Sequence, residues 1–456
     1  MSAVDASFGD HGRLFGLQQD AIACPYPIFE KMRRDAPVVW VAEIESFVVT
    51  RYEDIVEVLR QPEVFSSAMA TGPVLARQVG EGIAALAAAD KDDIERVLRR
   101  VDRGRAKVLL SSDPPLHRRQ RNLVSRAFTQ RRVREWEGSI RSMAEALVDG
   151  FPSDGPVEFV SAFAVPLPLS VIADRLGVPR TDMADFKRWS DDFTVAIGSH
   201  HLDTDELQAM LLSQAEFFEY FEAKVEDRRR HPGDDLLSHL ANARLPDGEG
   251  LTLPEVLGML NQILVAGNET TTKLLAFAVW RLARDPDLAE RIRREPELIE
   301  GFVEEVVRLE APVQGLYRQA VRECTIGDTT IPAGSALWLA YASANRDSRV
   351  FTSPDALIPE RTFAQPHLAF GFGEHFCLGA ALARAEARIG MSVILERLAD
   401  IQPDARNTFT YESSYVLHGL RELWLTCRPT ARGGSIRSHR SGCQLQAARP
   451  DQPRCG

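Results

Sequence analysis

Residues 369–379 read Ala-Phe-Gly-Phe-Gly-Glu-His-Phe-Cys-Leu-Gly, and this stretch decides how the rest of the chain is interpreted. Its cysteine, Cys377, is followed by an uninterrupted helical pattern over residues 378–399 that contains no proline. The N-terminus of a helix carries partial positive charge and free N–H groups, and both favour a deprotonated sulfur. The loop glycines Gly371 and Gly373 let the backbone come close to a flat, bulky group. The stretch therefore predicts a site that holds a thiolate.

The composition is that of a globular protein with a large core. The chain has 456 residues, of which 45% are hydrophobic, so either one large domain or two to three smaller ones would fit. A net charge of −11 argues against nucleic acid or an anionic membrane as the partner. No apolar run reaches the roughly 18–20 residues that cross a bilayer, and residues 1–17 lack the features of a signal peptide. We therefore expect a cytoplasmic protein without a membrane anchor.

The cysteines do not form a metal or disulfide pattern. The six are Cys24, Cys324, Cys377, Cys427, Cys443 and Cys455. No two of them form a CxxC pair, which argues against a zinc site or a thioredoxin-type motif. A disulfide framework is a poor interpretation of so large a chain without a signal peptide. Five of them are interpreted as buried or tail thiols, and Cys377 differs because of its surroundings.

The periodicity predicts a mainly α fold with small peripheral β-sheets. A helical pattern prevails from residue 113 to residue 310 and includes one helix of about thirty residues, Thr252–Arg284. Strand-like runs lie at 38–50, 320–326, 330–331, 336–340, 411–417 and 422–427. We predict an N-terminal extension over residues 1–24 and one domain over residues 25–428. Residues 429–456 carry five arginines against one acid, and they are predicted to be a disordered basic tail.

The segment 62–112 has a weak pattern and leaves two alternatives open. It mixes Ala-rich and Arg-rich pieces and contains few turn residues after Gly82. One interpretation is a mobile lid or substrate loop. The other is an insertion that carries an extra helix.

The long helix contains a polar stretch, Gly267-Asn-Glu-Thr-Thr-Thr272, between apolar flanks. Glycine is unfavourable inside a helix, and threonine competes for backbone hydrogen bonds. We therefore expect a local opening of the helix where a small ligand, water or a proton passes. A polar stripe that faces solvent is an equally good explanation.

Two further pairs are weak signals when taken alone. Glu305 and Arg308 are three residues apart and would share one face of a helix, as surface ion pairs commonly do. His117 and Arg121 are four apart at the start of a predicted helix, after Pro114 and Pro115. Two cationic donors on one face suggest capture of a carboxylate or phosphate, and exposed basic residues are the alternative.

Taken together, these motifs resemble the bacterial cytochrome P450 family over roughly residues 25–427. The family's heme-loop pattern F-G-x-G-x-(H/R)-x-C-x-G stands complete at residues 370–379. Its oxygen-activation pattern (A/G)-G-x-(D/E)-T is present at residues 266–270, and its E-x-x-R pair is Glu305 and Arg308. The order and separation of the three patterns also agree with the family, so the resemblance implies the cytochrome P450 fold.

The resemblance implies heme b as cofactor, with Cys377 as the axial thiolate ligand of the iron. It implies that His117, Arg121, Arg318 and His375 bind the heme propionates, since each is a cation that would face a carboxylate. Further cofactor-binding residues implied by the matched motifs are Ala266, Gly267, Phe370, Gly371 and Gly379. Glu305, Arg308 and Arg361 would form a structural charge network behind the heme.

The resemblance implies a monooxygenase that activates O₂ and hydroxylates a hydrophobic small organic molecule. Thr270 and Glu269 would be the catalytic residues, an alcohol–acid pair that holds water and relays protons. Gly267 would leave room for O₂ against the helix. A heme-thiolate peroxygenase or rearrangement enzyme is one alternative, although it would not need such a pair. A non-catalytic heme-binding or sensor protein is an alternative of another class.

The same resemblance implies that electrons come from an acidic ferredoxin and an NAD(P)H-dependent reductase, because the chain has no GxGxxG motif or cysteine cluster of its own. Six arginines are expected to form a basic docking patch: Arg118, Arg119, Arg126, Arg131, Arg132 and Arg384. Apolar substrate contacts are expected from residues 62–112, 264–266, 313–316 and 415–417. Departures from the family pattern are Glu instead of Asp at position 269, the long segment before His117, and the basic tail.

Overall fold

The computed structural model describes residues 11–430 apart from positions 90, 105, 196 and 199–201. The predicted N-terminal extension is therefore described from residue 11 onward. The predicted disordered tail lies outside the described residues from position 431.

Helices make up most of the described chain. They are α1 (His11–Phe15), α2 (Gln19–Ala23), α3 (Tyr26–Asp35), α4 (Tyr52–Leu59), α5 (Pro73–Ala89), α6 (Lys91–Gly104), α7 (Leu116–Val124), α8 (Gln130–Asp149), α9 (Pro166–Arg175), α10 (Met183–Thr194), α11 (Thr204–Arg230), α12 (Leu236–Asn242), α13 (Leu253–Arg284), α14 (Pro286–Arg294), α15 (Leu298–Glu310), α16 (Tyr341–Ala344) and α17 (Ala380–Arg397). The predicted mainly α fold is confirmed.

The strands are short and lie at the periphery, as predicted. They are β1 (Val38–Val41), β2 (Ser46–Val49), β3 (Phe65–Ser66), β4 (Val157–Glu158), β5 (Leu316–Ala320), β6 (Cys324–Ile326), β7 (Thr329–Ile331), β8 (Ala336–Leu339), β9 (Leu398–Pro403) and β10 (Trp424–Pro429). They form a five-stranded sheet in the order β1-β2-β8-β5-β3, a three-stranded sheet β4-β10-β9 and the hairpin β6-β7. Within the first sheet β2 and β8 are parallel.

Helix α13 is the central element of the core. Its start is specified locally: Thr252 and Glu255 form a reciprocal capping box, and Pro254 lies in the first turn. The 32 residues span about 48 Å at the usual rise of an α-helix. Helices α9, α15 and α17 pack against it, so α13 brings the polar stretch 267–272 close to the helix that follows Cys377.

Two predicted strands are wrong. Residues 411–417 form a loop with isolated bridges, because Ser414 Oγ accepts hydrogen bonds from the backbone N–H groups of Val416 and Leu417. Such local side-chain bonds compete with a strand ladder. The run 320–326 is divided between the end of β5 and β6.

The segment 62–112, for which two interpretations were open, carries two helices, α5 and α6. Both pack against α11. Along the described part of the chain, no helix combines the length and the apolar character that a membrane span requires.

Glu386 on α17 is a buried carboxyl group to which the described residues supply no counter-ion. It is 1% exposed, its Oε2 has no hydrogen-bond partner among the described residues, and burial raises its pKa to about 8. The folded chain thus binds this proton more tightly than the unfolded chain does. The contribution of this proton to stability is full below the ordinary glutamate pKa and is lost as the pH rises toward 8.

We expect Glu386→Gln to remove this pH dependence. Relative to the wild type, the free energy of unfolding of the variant should rise by up to about 1.4 kcal/mol per pH unit between about pH 5 and 8. Urea unfolding at a series of pH values measures it. Glu300→Gln, at an exposed position of α15, is the control and should show no such trend. If the free energy of unfolding of Glu386→Gln differs from that of the wild type by the same amount at every pH, the interpretation is contradicted.

Candidate active site

The loop before α17 has a geometry that its glycines permit. Gly371 and Gly373 both adopt φ of +70°, in the left-handed region that favours glycine. A side chain at Gly373 would also lie 3.1 Å from the carbonyl oxygen of Leu59. The backbone N–H of Cys377 donates to the carbonyl of Phe370 over 2.8 Å, which closes the loop. Gly379 then caps the first turn of α17.

The thiol of Cys377 is accessible at the start of this helix. The surrounding protein shields the sulfur from much of the water, and this burial raises the pKa of the thiol. The backbone N–H groups of Gly379 and Ala380 and the guanidinium groups of Arg121 and Arg384 act in the opposite direction, because all of them favour the thiolate. Arg384 also lies over the ring of Phe370, 4.3 Å from its centroid. Burial outweighs these groups and raises the pKa of the thiol overall, so the thiolate at Cys377 stays a prediction, and these are the groups that would stabilise it.

Four predicted cations converge beside this loop from three different elements. His117 and Arg121 lie on α7, Arg318 on β5, and His375 in the 3₁₀ turn that precedes Cys377. The rings of His117 and His375 lie 4.0 Å apart between centroids. Burial lowers the pKa of His375 to about 3, and repulsion from Arg318, His117 and Arg121 adds to the effect. Burial lowers the pKa of His117 and of Arg121 as well.

These four cations have few partners of their own. Nδ1 of His117 is buried and unpaired, and Nε2 of His375 contacts Ser67 Oγ at 3.1 Å. Arg318 donates to the backbone carbonyl of Tyr317, and within the described part of the chain neither Arg318 nor Arg121 forms a salt bridge. Arg121 and Arg318 carry the positive charge of the group, because the pKa of both histidines is lowered, and the Glu374 carboxylate lies within 4.8 Å of the two imidazoles. Guanidinium groups held in the protein without a paired carboxylate favour an added anion. The residues therefore fit a flat cofactor that carries two negative groups and accepts a thiolate.

Helix α13 is continuous through residues 267–272, so the expected local opening is absent from the structure. The polar side chains find partners on neighbouring elements instead of breaking the helix. Asn268 Nδ2 donates to Ser190 Oγ over 2.9 Å, and Thr272 Oγ1 donates to the carbonyl of Ala164 over 3.1 Å. Asn268, Thr271 and Thr272 are buried, so the alternative of a stripe facing solvent is also wrong.

The two predicted catalytic side chains on α13 point along the helix in opposite directions. Thr270 Oγ1 donates to the carbonyl of Ala266, one turn back, over 2.7 Å. Glu269 Oε2 accepts from Lys273 Nζ, one turn ahead, over 2.8 Å. Ala266 is exposed, whereas a side chain added at Gly267 would meet Ile172 of α9 at 3.3 Å. The missing side chain of Gly267 thus allows the close approach of α9.

Lys273 is a charged residue that the sequence analysis missed. It is 1% exposed, and its ammonium group also lies 3.0 Å from Glu412 Oε1. A signal was present, because a lysine inside the apolar half of a core helix is rarely buried without a carboxylate partner. The identity of the second partner could not be read from the pattern, since Glu412 lies in a distant loop.

The predicted network of Glu305, Arg308 and Arg361 is formed. Nε of Arg308 donates to Glu305 Oε1 over 2.6 Å, and Nε of Arg361 donates to the same oxygen over 2.9 Å. Glu305 and Arg308 are completely buried, so the surface-pair alternative is wrong. The guanidinium of Arg308 also donates to the backbone carbonyls of Asn345 and Ala356.

The expected substrate segments partly come together. Residues 313–316 and 415–417 are adjacent, with a bridge between Val313 and Leu417 and a 2.8 Å hydrogen bond from Gln314 N–H to the carbonyl of Val416. Leu264 of α13 is completely buried.

Carboxylates partly neutralise the predicted basic patch. Within the described residues, five of its six arginines lie within 4.0 Å of an acid, and these pairs are Arg118–Glu374, Arg119–Glu255, Arg131–Glu135, Arg132–Asp234 and Arg384–Glu304. Arg118 and Arg131 remain largely exposed.

Comparisons with known proteins agree with this geometry. The sequence model of the cytochrome P450 family matches residues 181–418. The cytochrome P450 monooxygenase PikC of Streptomyces venezuelae is 34% identical over 92% of this chain and 95% of its own. The structure of cytochrome P450 CYP109Q5 from Chondromyces apiculatus superposes with a TM-score of 0.77 at 34% identity, covering 91% of this chain and 98% of that one.

A third relative, CYP109E1 from Bacillus megaterium in complex with corticosterone, superposes with a TM-score of 0.75 at 31% identity and covers 89% of this chain and 99% of that one. Membership of this family implies a heme-thiolate cofactor. The chain belongs to the cytochrome P450 family and is a P450 monooxygenase.

We expect Glu305→Ala to destabilise the protein by about 3–5 kcal/mol, because Arg308 would be left buried without its carboxylate. Chemical denaturation measures the loss. The matched control is Glu145→Ala, which removes the i, i+4 partner of Arg141 on the surface of α8 and should change stability by no more than about 0.5 kcal/mol. Equal losses in the two variants would show that the buried network is not the stronger interaction.

Proposed function

We propose that this P450 monooxygenase activates O₂ at heme b and hydroxylates a hydrophobic small organic molecule, with electrons from a separate ferredoxin and an NAD(P)H-dependent reductase. The observation that carries the proposal is the group of two arginines and two histidines, of which His117 and Arg318 are buried, beside an accessible cysteine at a helix N-terminus. Such a group matches a planar cofactor with two carboxylates and one thiolate ligand.

In this proposal Cys377 binds the heme iron, while His117, Arg121, Arg318 and His375 hold the propionates. When bound, the heme supplies the O–O cleavage and C–H oxidation that amino-acid side chains cannot perform. The chain's own contribution is electrostatic. Its N–H groups and guanidinium groups stabilise the thiolate, and its cations compensate the propionates.

Thr270 and Glu269 are proposed to deliver protons beside the cofactor. The Thr270 hydroxyl donates its hydrogen to the Ala266 carbonyl, so its oxygen remains free to accept a hydrogen bond from a water molecule. Such an arrangement orients water, through which Glu269 can relay protons taken up from solvent. This role makes O₂ the oxidant and argues against a peroxygenase or a rearrangement enzyme.

A hydrophobic substrate fits the apolar segments 313–316 and 415–417, which include Leu316, Val416 and Leu417. The relative CYP109E1 has been solved with corticosterone, an apolar steroid. For electron delivery, the exposed side chains of Arg118 and Arg131 lie among the basic residues of α7 and α8 and suit an acidic ferredoxin.

We expect the reduced protein with carbon monoxide to show the red-shifted absorption band of a thiolate-ligated heme, and Cys377→Ala to lose it, because only a thiolate donates enough charge. Absorption spectroscopy measures the band. Cys324→Ala and Cys427→Ala are the controls and should retain it, since both are free thiols elsewhere in the fold. Retention of the band in Cys377→Ala would disprove the assignment of the ligand.

We expect Thr270→Ala to consume NAD(P)H without forming product, because water is no longer oriented for proton delivery. Product per NAD(P)H should fall on the order of 10²-fold, measured with ferredoxin, reductase and a hydrophobic substrate found by its shift of the heme band. Thr270→Ser restores the hydroxyl and should recover most of the coupling. Thr272→Ala, which removes a buried hydrogen bond to Ala164, is the control for packing effects. Unchanged coupling in Thr270→Ala would overturn the proposed relay.

A further inference from the structure

Lys273 forms two ion pairs in the core. Its ammonium nitrogen lies 2.8 Å from Glu269 Oε2, on its own helix, and 3.0 Å from Glu412 Oε1, in the loop before β10. Burial alone would lower the pKa of Lys273, but the two carboxylates raise it, so the side chain stays charged. One buried cation is thus shared by two acids, and one of these is the proposed proton donor.

The loop 411–420 is shaped to fit this lysine. Tyr411 and Leu420 form an antiparallel bridge, and the N–H of Glu412 donates to the carbonyl of Gly419 over 3.0 Å. A side chain added at Gly419 would lie 2.5 Å from Cγ of Lys273. The loop therefore provides both a carboxylate for the ammonium group and the space for the methylene groups.

The contacts of Glu269 limit what it can do while it is paired. Its carboxylate is directed one turn forward to Lys273, whereas the hydroxyl of Thr270 is directed one turn back. A turn of the Glu269 carboxylate toward water beside Thr270 would weaken its contact with Lys273. A buried ammonium group that loses its last carboxylate is strongly destabilised, so a second partner decides whether this movement is accessible.

We propose that Lys273 and Glu412 are positioning residues that control the release of Glu269. Glu412 keeps the charge of Lys273 compensated when Glu269 turns away, and Lys273 returns Glu269 to its resting position afterwards. This inference rests on the proposed role of Glu269 and Thr270. Glu412 suits the task because its side chain is 34% exposed, against 16% for Glu269.

The surrounding charges make this control depend on pH. Burial raises the pKa of Glu412, Glu269 adds to the rise, and Lys273 and Arg421 oppose it. Lys273 in turn contributes to the lowered pKa of His418, and on α10 burial raises the pKa of Asp191 beside Lys187 and Glu269. When the pH falls and Glu412 takes up a proton, Glu269 becomes the only charged partner of Lys273. Product formation should then decline on the acid side.

The decisive variants are Glu412→Gln and the double variant Lys273→Met/Glu412→Gln. Glu412→Gln imitates the protonated acid, so product per NAD(P)H should fall about 10-fold, the solvent isotope effect on product formation should increase, and the acid-side decline should disappear. Removing Lys273 in addition frees Glu269, so the double variant should form at least about 3-fold more product than Glu412→Gln alone. Lys224→Met, which removes a lysine over the ring of Tyr220, is the control and should behave like the wild type.

A second measurement does not depend on turnover. Lys273→Met leaves two carboxylates without their shared cation, so its melting temperature should fall relative to the wild type as the pH rises from about 5 to 8. Lys224→Met should show no such trend. A melting temperature of Lys273→Met that runs parallel to the wild type would contradict the shared ion pair.

The outcomes separate this inference from the proposed function. If product per NAD(P)H falls in Thr270→Ala and Glu269→Gln but not in Glu412→Gln, the relay stands and the role of Glu412 is refuted. A double variant no better than Glu412→Gln also refutes it, because damage to the fold would then explain the loss. If product per NAD(P)H is unchanged in both Glu269→Gln and Thr270→Ala, the proposed relay and the proposed role of Lys273 and Glu412 are both refuted.

Discussion

The candidate site depends on holding two arginines and two histidines together beside one sulfur. His117 and Arg121 come from α7, Arg318 from β5 and His375 from the loop before α17, and the pKa of His375 is strongly lowered, first by burial and then by repulsion from the other three. No carboxylate of the described residues pairs with Arg121 or Arg318. The surrounding helices and the five-stranded sheet must therefore hold these two guanidinium groups near each other at an energetic cost that a bound anion would offset.

The buried charges of this protein fall into two kinds. The network of Glu305, Arg308 and Arg361 is closed, because each charge and nearly every donor has a protein partner, and such a network suits a fixed scaffold. The cation cluster is open toward a cofactor. The ion pairs of Lys273 lie between these extremes. Its ammonium group has two carboxylate partners, so it can separate from one and still be paired with the other.

Much of the site could be predicted from the sequence because its motifs are local. The heme loop, the polar stretch of α13 and the Glu305–Arg308 pair each lie within about ten residues. The resemblance to a family then related His117 and Arg318 to them. The second partner of Lys273, Glu412, could not be predicted, because only tertiary packing brings it close to the lysine. The same limit explains the strand that was wrongly predicted at 411–417, where Ser414 accepts a local backbone hydrogen bond. It also explains the helix opening that was expected but is absent, because Asn268 and Thr272 find partners in Ser190 and Ala164 on neighbouring elements.

The distribution of the site along the chain has a consequence for biosynthesis. His117 and Arg121 precede Cys377 by more than 250 residues, and Glu412 and Gly419 come later still. At roughly 5–20 residues per second, the ribosome needs on the order of 15–50 s to add the segment between them. During most of that interval only His117 and Arg121 of the group have been made, and Arg318, His375 and Cys377 are still missing. Productive capture of the cofactor is therefore confined to the last moments of synthesis or to the released chain.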